Sequence, residues 1–138
     1  MQTARVRWVE NQQFVGVTPS GHSIPIDADR ERNFAPGPME ILLVALGACT
    51  ATDVVLILGK KRQRLESLEV VVCGERASEP PTVWTKLEVF YKLRGMLEEK
   101  AVRDAIELSE TKYCSVAAML SRTAPISFRY EILPARDD

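Results

Sequence analysis

Residues 39–58 read MEILLVALGACTATDVVLIL, and this stretch decides the fold. Apolar side chains occupy most of its helical circumference, which indicates a helix that is buried on nearly every side. At about 1.5 Å of rise per residue, the helix is roughly 30 Å long. A helix of this kind needs a core around it, so the segment predicts the central helix of a soluble α+β domain.

A membrane span is the competing interpretation, because the helix is long enough to cross a bilayer. Two acidic residues, Glu40 and Asp53, lie within it. An aspartate at the centre of a span costs about 2.5 to 3.5 kcal/mol to insert. The half-apolar strands and the second helix elsewhere in the chain also need a common core, which favours the soluble interpretation.

The residues before this helix predict three short strands in a meander. The strands cover Ala4–Val9, Phe14–Thr18 and Ser23–Asp27, with turn-forming residues between them. A charged loop then leads to residues 36–38, Pro-Gly-Pro, which fix the backbone and start the helix at its first turn.

The residues after the helix predict two more strands, Leu68–Gly74 and Val83–Leu93, then a helix over Glu98–Ser121 and a last strand over Ile126–Leu133. Apolar and polar residues alternate along these strands, so one face of their sheet is buried. The predicted order is βββ-α-ββ-α-β, in a single domain that covers residues 1–138.

Length and charge exclude several classes of protein. The chain has 138 residues and a net charge of -1, which gives no general electrostatic attraction for nucleic acid or an anionic membrane. Residues 1–10 lack the charged and apolar pattern of a secretory leader, so we expect a reducing cytoplasm and free cysteine thiols. With His22 as the one histidine and no CxxC pair, we expect no metal site and no cofactor.

Two segments carry a family resemblance. Residues 37–50, GPMEILLVALGACT, resemble the central-helix signature of the OsmC/Ohr family of thiol-dependent hydroperoxide-detoxifying proteins. Residues 112–116, KYCSV, lie where that family carries its second cysteine, and the order of elements matches over essentially the whole chain. Within the family the chain looks closest to the YhfA-like branch, by residues 8–10 (WVE), 38–40 (PME), 53–55 (DVV) and 112–116.

The resemblance implies an intertwined homodimer in which antiparallel sheets wrap a buried pair of central helices, with each active site built from both chains. It also implies a peroxidase cycle. Cys49, as a thiolate, attacks an organic hydroperoxide and becomes a sulfenic acid, and Cys114 condenses with it to a disulfide that an external dithiol reduces. The apolar helix around Cys49 favours bulky, apolar hydroperoxides over hydrogen peroxide.

The cycle needs a cation, because burial among apolar side chains disfavours a thiolate. The better-known family members supply an arginine from the N-terminal hairpin, but residues 11–13 here read NQQ. Arg30 and Arg32, in the loop before the central helix, are the candidate replacements, and Arg32 is included in the predicted site.

The family's partner carboxylate is also altered. Glu40 is the candidate, one residue later than the family's spacing, and nine residues separate it from Cys49. On a straight helix this separation turns the two side chains to opposite sides. Asp53 lies four residues beyond Cys49 on the same face, where its charge opposes a thiolate, so we expect Asp53 to have another partner.

Other residues have structural interpretations. Cys114 lies to one side of its helix's apolar stripe, which predicts a core edge or an interface, and Cys73 is predicted to be a core residue of its strand. His22 is predicted to be a solvated turn residue, and Trp8 and Trp84 to be packing residues.

Two other functions fit the same residues. One is a dimeric small-molecule-binding protein that keeps the fold and pocket without peroxidase activity. The other is dithiol exchange without peroxide chemistry. Formation of a Cys49–Cys114 disulfide by hydroperoxide separates the first from a peroxidase, and the rate of hydroperoxide consumption separates the second.

Overall fold

The computed structural model describes residues 1–136 and shows an α+β architecture with two three-stranded sheets. Its strands are β1 (Arg5–Glu10), β2 (Gln13–Val17), β3 (Ser23–Asp27), β4 (Arg64–Arg76), β5 (Trp84–Met96) and β6 (Ile126–Leu133). Its helices are α1 (Pro38–Lys60), α2 (Glu99–Leu108) and α3 (Ser115–Leu120), with a π-helical turn over Ser109–Tyr113. The predicted class and order are confirmed, except that the second predicted helix is divided.

The chain separates into two compact units, residues 1–42 and the described residues from 43 onward. The predicted single domain over residues 1–138 stays a prediction. Its last two residues, 137 and 138, lie outside the described part.

The first unit contains the predicted meander, in which β2 pairs with β1 and β3 in antiparallel register. The loop after β3 is organised by Asp27, which is fully buried. Its carboxylate accepts the backbone N–H of Asp29 at 2.9 Å and that of Phe34 at 3.2 Å. The prediction that Trp8 is a packing residue is wrong within this chain, because its side chain is 68% exposed on the edge strand β1.

The second unit packs α1 against the sheet of β4, β5 and β6. The alternation predicted for β5 is confirmed, since Leu87, Val89, Tyr91 and Leu93 are all fully buried. Strand β6 runs parallel to β5, whereas β4 is antiparallel to it, so this sheet is mixed rather than antiparallel. The reason is the helical connection between β5 and β6, which is the kind of crossover that a parallel pair requires.

The continuous helix predicted over Glu98–Ser121 is wrong in its middle. Helix α2 ends at Leu108, and the π-helical turn follows. Cys114 then has an extended backbone, with φ of -75° and ψ of 101°, and its sulfur accepts the backbone N–H of Ala117 at 3.3 Å. Cys114 is therefore the N-cap of α3, and the helix axis restarts at this cysteine.

Within the described chain, α1 is covered along one stripe rather than on every side. The buried residues recur every three or four positions, at Leu46, Gly47, Thr50, Val54 and Leu58. From Val44 onward the exposed residues lie on another face, at Val44, Ala48, Thr52, Val55, Leu56 and Gly59, and Lys60 at the end of the helix is also exposed. By length and composition alone α1 could also cross a membrane, with a mean hydropathy of 2.4.

Candidate functional site

Cys49 and Cys114, far apart in sequence, meet in the second unit. Cys49 is half-buried near the middle of α1, and Cys114 is buried at the start of α3 with 3% of its surface exposed. Cys49 packs against the hydrophobic core that contains Cys114, and its thiol is close enough to raise the pKa of the Cys114 thiol. Both cysteines are free thiols. The expected position of Cys114 at a core edge is wrong, because the break at Ser109–Tyr113 turns it into the core.

The Cys114 thiol holds its proton tightly. Burial is the largest cause, and it raises the pKa of Cys114 from its ordinary value of 9.0 to about 11. The hydrogen bond from the N–H of Ala117 opposes this shift, while the nearby Cys49 thiol and Asp53 carboxylate add to it. At neutral pH Cys114 is therefore a neutral thiol beside Cys49.

A chain of buried hydroxyl groups adjoins the two cysteines. The hydroxyl of Thr50 bonds with the hydroxyl of Tyr91 on β5, and it lies 2.9 Å from the hydroxyl of Ser109. Ser109 in turn donates to the Asp53 carboxylate at 2.8 Å. The expectation that Asp53 has a partner other than Cys49 is confirmed in this bond, although its charge still adds to the pKa shift of Cys114.

The sequence does not single out Thr50, Tyr91 or Ser109 as site residues. All three are fully buried. One signal was available: Ser109 stands on the apolar stripe of its predicted helix, and a hydroxyl at a core position needs a hydrogen-bond partner. Nothing in the spacing identifies Thr50 as that partner, because it lies on another element.

The predicted carboxylate and cation lie in the first unit. Glu40 accepts the guanidinium of Arg30 at 2.9 Å and the backbone N–H of Gly37, also at 2.9 Å. Arg32 is not at Glu40; its nearest carboxylate is that of Asp29, at 3.8 Å. Of the two loop arginines named from the sequence, Arg30 is therefore the one that forms an ion pair with Glu40.

Arg30 also holds its own loop together. Besides Glu40, its guanidinium donates to the carbonyl oxygens of Asp27 and Ala35, and to the side-chain oxygen of Asn33 at 3.3 Å. The side-chain exposures of Arg30 and Glu40 are 41% and 54%. An ion pair this open to solvent is worth about 0 to 1 kcal/mol, so its value for folding is small.

Two other predicted positions, Cys73 and His22, have clear outcomes. Cys73 is exposed rather than in the core, because it points away from the face of β4 that packs on α1 through Val72. His22 is an exposed turn residue, as predicted, and its ring nitrogen lies 2.9 Å from the Ser20 hydroxyl. Among residues 1–136, no group of three or more His, Cys, Asp or Glu side chains could hold a metal ion.

The sequence matches the family model of the OsmC-like proteins over residues 29–129. It is also 43% identical to Protein YhfA of Escherichia coli K12 over 133 residues, which cover 96% of this chain and 98% of that protein. Both matches agree with the family resemblance that residues 37–50 and 112–116 indicated. The chain belongs to the OsmC-like family.

Solved structures share the fold. A hypothetical protein from Aquifex aeolicus VF5 aligns with a TM-score of 0.89 and 30% identity, over 99% of this chain and 98% of that one. An organic hydroperoxide resistance protein OsmC from Legionella pneumophila aligns with a TM-score of 0.68 and 12% identity, over 95% and 96%. Helix α1 is thus the core helix of an OsmC-like fold, and no membrane protein is indicated.

Proposed function

We propose that this protein is a thiol peroxidase that reduces organic hydroperoxides through a Cys49/Cys114 dithiol–disulfide cycle, in defence against oxidative stress. The observation that carries the proposal is the proximity of two free thiols in the second unit, where Cys49 packs against the core that contains Cys114. Two neighbouring free thiols need little movement to form a disulfide. The Legionella relative, which shares the fold, is named an organic hydroperoxide resistance protein.

In the first step the Cys49 sulfur attacks the distal oxygen of the hydroperoxide. The O–O bond breaks, the S–O bond of a sulfenic acid forms, and the alkoxide leaves as an alcohol after taking a proton. In the second step the Cys114 sulfur attacks the Cys49 sulfur. The S–O bond breaks, and the hydroxide that leaves takes the Cys114 proton and departs as water.

The assignment of the two roles follows from burial and protonation. Cys49 is half-buried, so a hydroperoxide reaches it more easily than it reaches Cys114, which is 3% exposed. Cys114, with a pKa of about 11, carries the proton that the second step needs for water. An external dithiol then reduces the disulfide, and a cytoplasmic location keeps both thiols reduced between turnovers.

The substrate class follows from the surroundings of Cys49. Its side chain packs against the hydrophobic core of the second unit. An apolar substituent gains free energy when it leaves water for such a surface. Organic hydroperoxides with bulky apolar groups are therefore the proposed substrates, in preference to hydrogen peroxide.

We propose a homodimer as the active form. The exposed face of α1 is made of small and apolar side chains, and Val44, Val55 and Leu56 are 70%, 47% and 59% exposed in the single chain. Surfaces of this kind mark interaction sites in soluble proteins. A second copy that lays the same face against this one satisfies both chains at once, as in a two-fold dimer.

The carboxylate and cation of the cycle also stay proposals. Glu40 keeps the role expected from the family signature. Its ion pair makes Arg30 the proposed cation in preference to Arg32. An arginine suits this role because its planar guanidinium presents several N–H donors in a fixed geometry.

A binding protein without peroxidase activity is the second candidate, and one observation favours it. The guanidinium of Arg30 donates hydrogen bonds to Asp27, Ala35 and Glu40, and these bonds hold the loop in place. If that is the whole role of Arg30, the cysteine pair lacks a dedicated cation.

Mapping of disulfides separates the two functions. The reduced protein is exposed to one equivalent of cumene hydroperoxide, digested without reduction and analysed by mass spectrometry, with Cys73→Ser as the matched control. A peroxidase forms the Cys49–Cys114 disulfide in both proteins and releases cumyl alcohol. Free Cys49 and Cys114 with unconsumed hydroperoxide would favour the binding protein.

A further inference from the structure

Ser109 is bonded to both elements that carry the cysteines. Its hydroxyl lies 2.9 Å from that of Thr50 and 2.8 Å from the Asp53 carboxylate, and both of these residues belong to the helix of Cys49. Its backbone carbonyl accepts the N–H of Cys114 at 2.8 Å. One residue thus bonds the Cys49 helix through its side chain and Cys114 through its backbone.

The number of available protons fixes the direction of the hydroxyl chain. Ser109 has one hydroxyl proton, and it goes to the acceptor-only carboxylate of Asp53. Thr50 must then donate its own proton to Ser109, and Tyr91 must donate to Thr50. Each of the three hydroxyl groups therefore donates its one proton. The direction of donation is fixed, from Tyr91 through Thr50 and Ser109 to Asp53.

The local backbone explains why this bond controls the position of Cys114. The bond from Cys114 to the Ser109 carbonyl closes the π-helical turn, and π-helical turns are rare and concentrate at functional sites. Without its hydroxyl, Ser109 would lose the hydrogen bonds that join the turn to Thr50 and Asp53 of α1. The residue at its other end is Cys114.

We infer that Ser109 is a positioning residue that, through Thr50 and Asp53, holds Cys114 close to Cys49. The inference rests on the proposed function only in taking these two thiols as the reacting pair. If Ser109 holds the two thiols close together, each thiol has a high effective concentration at the other, because they do not have to meet by diffusion.

The equilibrium with glutathione measures this effective concentration without any hydroperoxide. Glutathione disulfide takes two electrons and two protons from Cys49 and Cys114, which form their disulfide, and two molecules of glutathione are released. The ratio of oxidised to reduced protein, read by mass spectrometry at fixed glutathione concentrations, gives the effective concentration. Global stability does not move this ratio as long as the protein stays folded.

The test compares Ser109→Ala with Thr111→Val. Thr111 lies in the same turn, is exposed, and bonds only the Glu107 carbonyl through its side chain, at 2.8 Å. Ser109→Ala should lower the effective concentration at least tenfold, whereas Thr111→Val should stay within twofold of the unaltered protein. Equal values for Ser109→Ala and the unaltered protein would overturn the inference.

A second pair of variants decides the matter if Ser109→Ala does not fold. Thr50→Val keeps the shape of the side chain but removes the hydroxyl, and Thr50→Ser keeps the hydroxyl. The inference expects a lowered effective concentration in Thr50→Val and its recovery in Thr50→Ser. Equal values for the two Thr50 variants would contradict it.

These outcomes are independent of the peroxidase proposal. A protein with a high glutathione-derived effective concentration that ignores cumene hydroperoxide would refute the peroxidase and leave the positioning role of Ser109 intact. A peroxidase whose effective concentration is indifferent to Ser109→Ala would refute only the positioning role.

Discussion

Cys49 packs against the hydrophobic core that contains Cys114, and of the two it is Cys114 that is buried and caps a helix. Two opposing effects set the pKa of its thiol. The N–H of Ala117 favours a thiolate, and burial disfavours one more strongly. The balance keeps Cys114 protonated at neutral pH, which makes its proton available when a disulfide forms.

The raised pKa of Cys114 predicts a specific dependence of stability on pH. Between pH 9 and about 11 the folded state of the reduced protein holds a proton that the unfolded state has lost, so a rise in pH favours unfolding. The contribution is at most about 1.4 kcal/mol per pH unit. Below pH 9 both states hold the proton, and this group adds no pH dependence.

Chemical denaturation of the reduced protein at several pH values measures this effect, with Cys114→Ser as the reference because serine does not titrate. The free energy of unfolding should fall more steeply between pH 9 and 11 in the unaltered protein than in the variant. Parallel profiles would contradict the assignment.

Removing the hydroxyl at the head of the buried chain should cost stability. Tyr91→Phe keeps the ring, which stacks on Phe128 at 6.3 Å between centroids, but removes the donor to Thr50. We expect a loss of about 1 to 2 kcal/mol in the free energy of unfolding. Tyr130→Phe is the control, because its hydroxyl bonds Glu99 at the surface, and it should change stability by less than about 0.5 kcal/mol.

The proposed dimer predicts that a charge on the exposed face of α1 separates the subunits. Val55→Glu places a carboxylate among apolar residues that would be buried, whereas Val83→Glu changes a residue that is 37% exposed outside this helix. By analytical ultracentrifugation at micromolar concentration, Val55→Glu should be monomeric and Val83→Glu dimeric. A monomeric unaltered protein, or a dimeric Val55→Glu, would refute this interface.

The ion pair of the first unit predicts unequal effects of two conservative changes. Arg30→Lys loses the planar guanidinium that bonds Glu40 and two backbone carbonyls, whereas Arg32→Lys alters a looser contact at 3.8 Å. We expect at least a tenfold fall in the rate of hydroperoxide reduction for Arg30→Lys and little change for Arg32→Lys. Equal rates in the two variants would leave Arg30 with a role in loop structure alone.

Local patterns in the sequence predict most of the fold. Alternation identifies β5 and its buried face, and Pro38 marks the start of α1. The break in the second helix escapes such reasoning, because the helical periodicity of the stripe continues through Ser109 and Ala117. What divides this helix is tertiary: a buried hydroxyl bonded to another helix and a cysteine that serves as a cap.

The candidate site likewise has residues that can be identified from the sequence and others that only the folded structure identifies. The family resemblance leads to the proposal of Cys49 and Cys114, whose positions match its pattern along the chain, and of Glu40, which lies one residue later than the family's spacing. The partners of those residues cannot, since Arg30 and Arg32 differ by two positions in one charged loop and only the folded loop brings one of them to Glu40.

In the proposed cycle, Cys49 reacts with organic hydroperoxides and Cys114 forms the disulfide that completes it. The most direct test is the rate of cumene hydroperoxide consumption in the presence of a dithiol reductant, for the unaltered protein and for Cys49→Ser, Cys114→Ser and Cys73→Ser. We expect an unchanged rate for Cys73→Ser, a reduced rate for Cys114→Ser, and for Cys49→Ser only the background reaction of the reductant with the hydroperoxide. Consumption by Cys49→Ser at the rate of the unaltered protein would contradict the account.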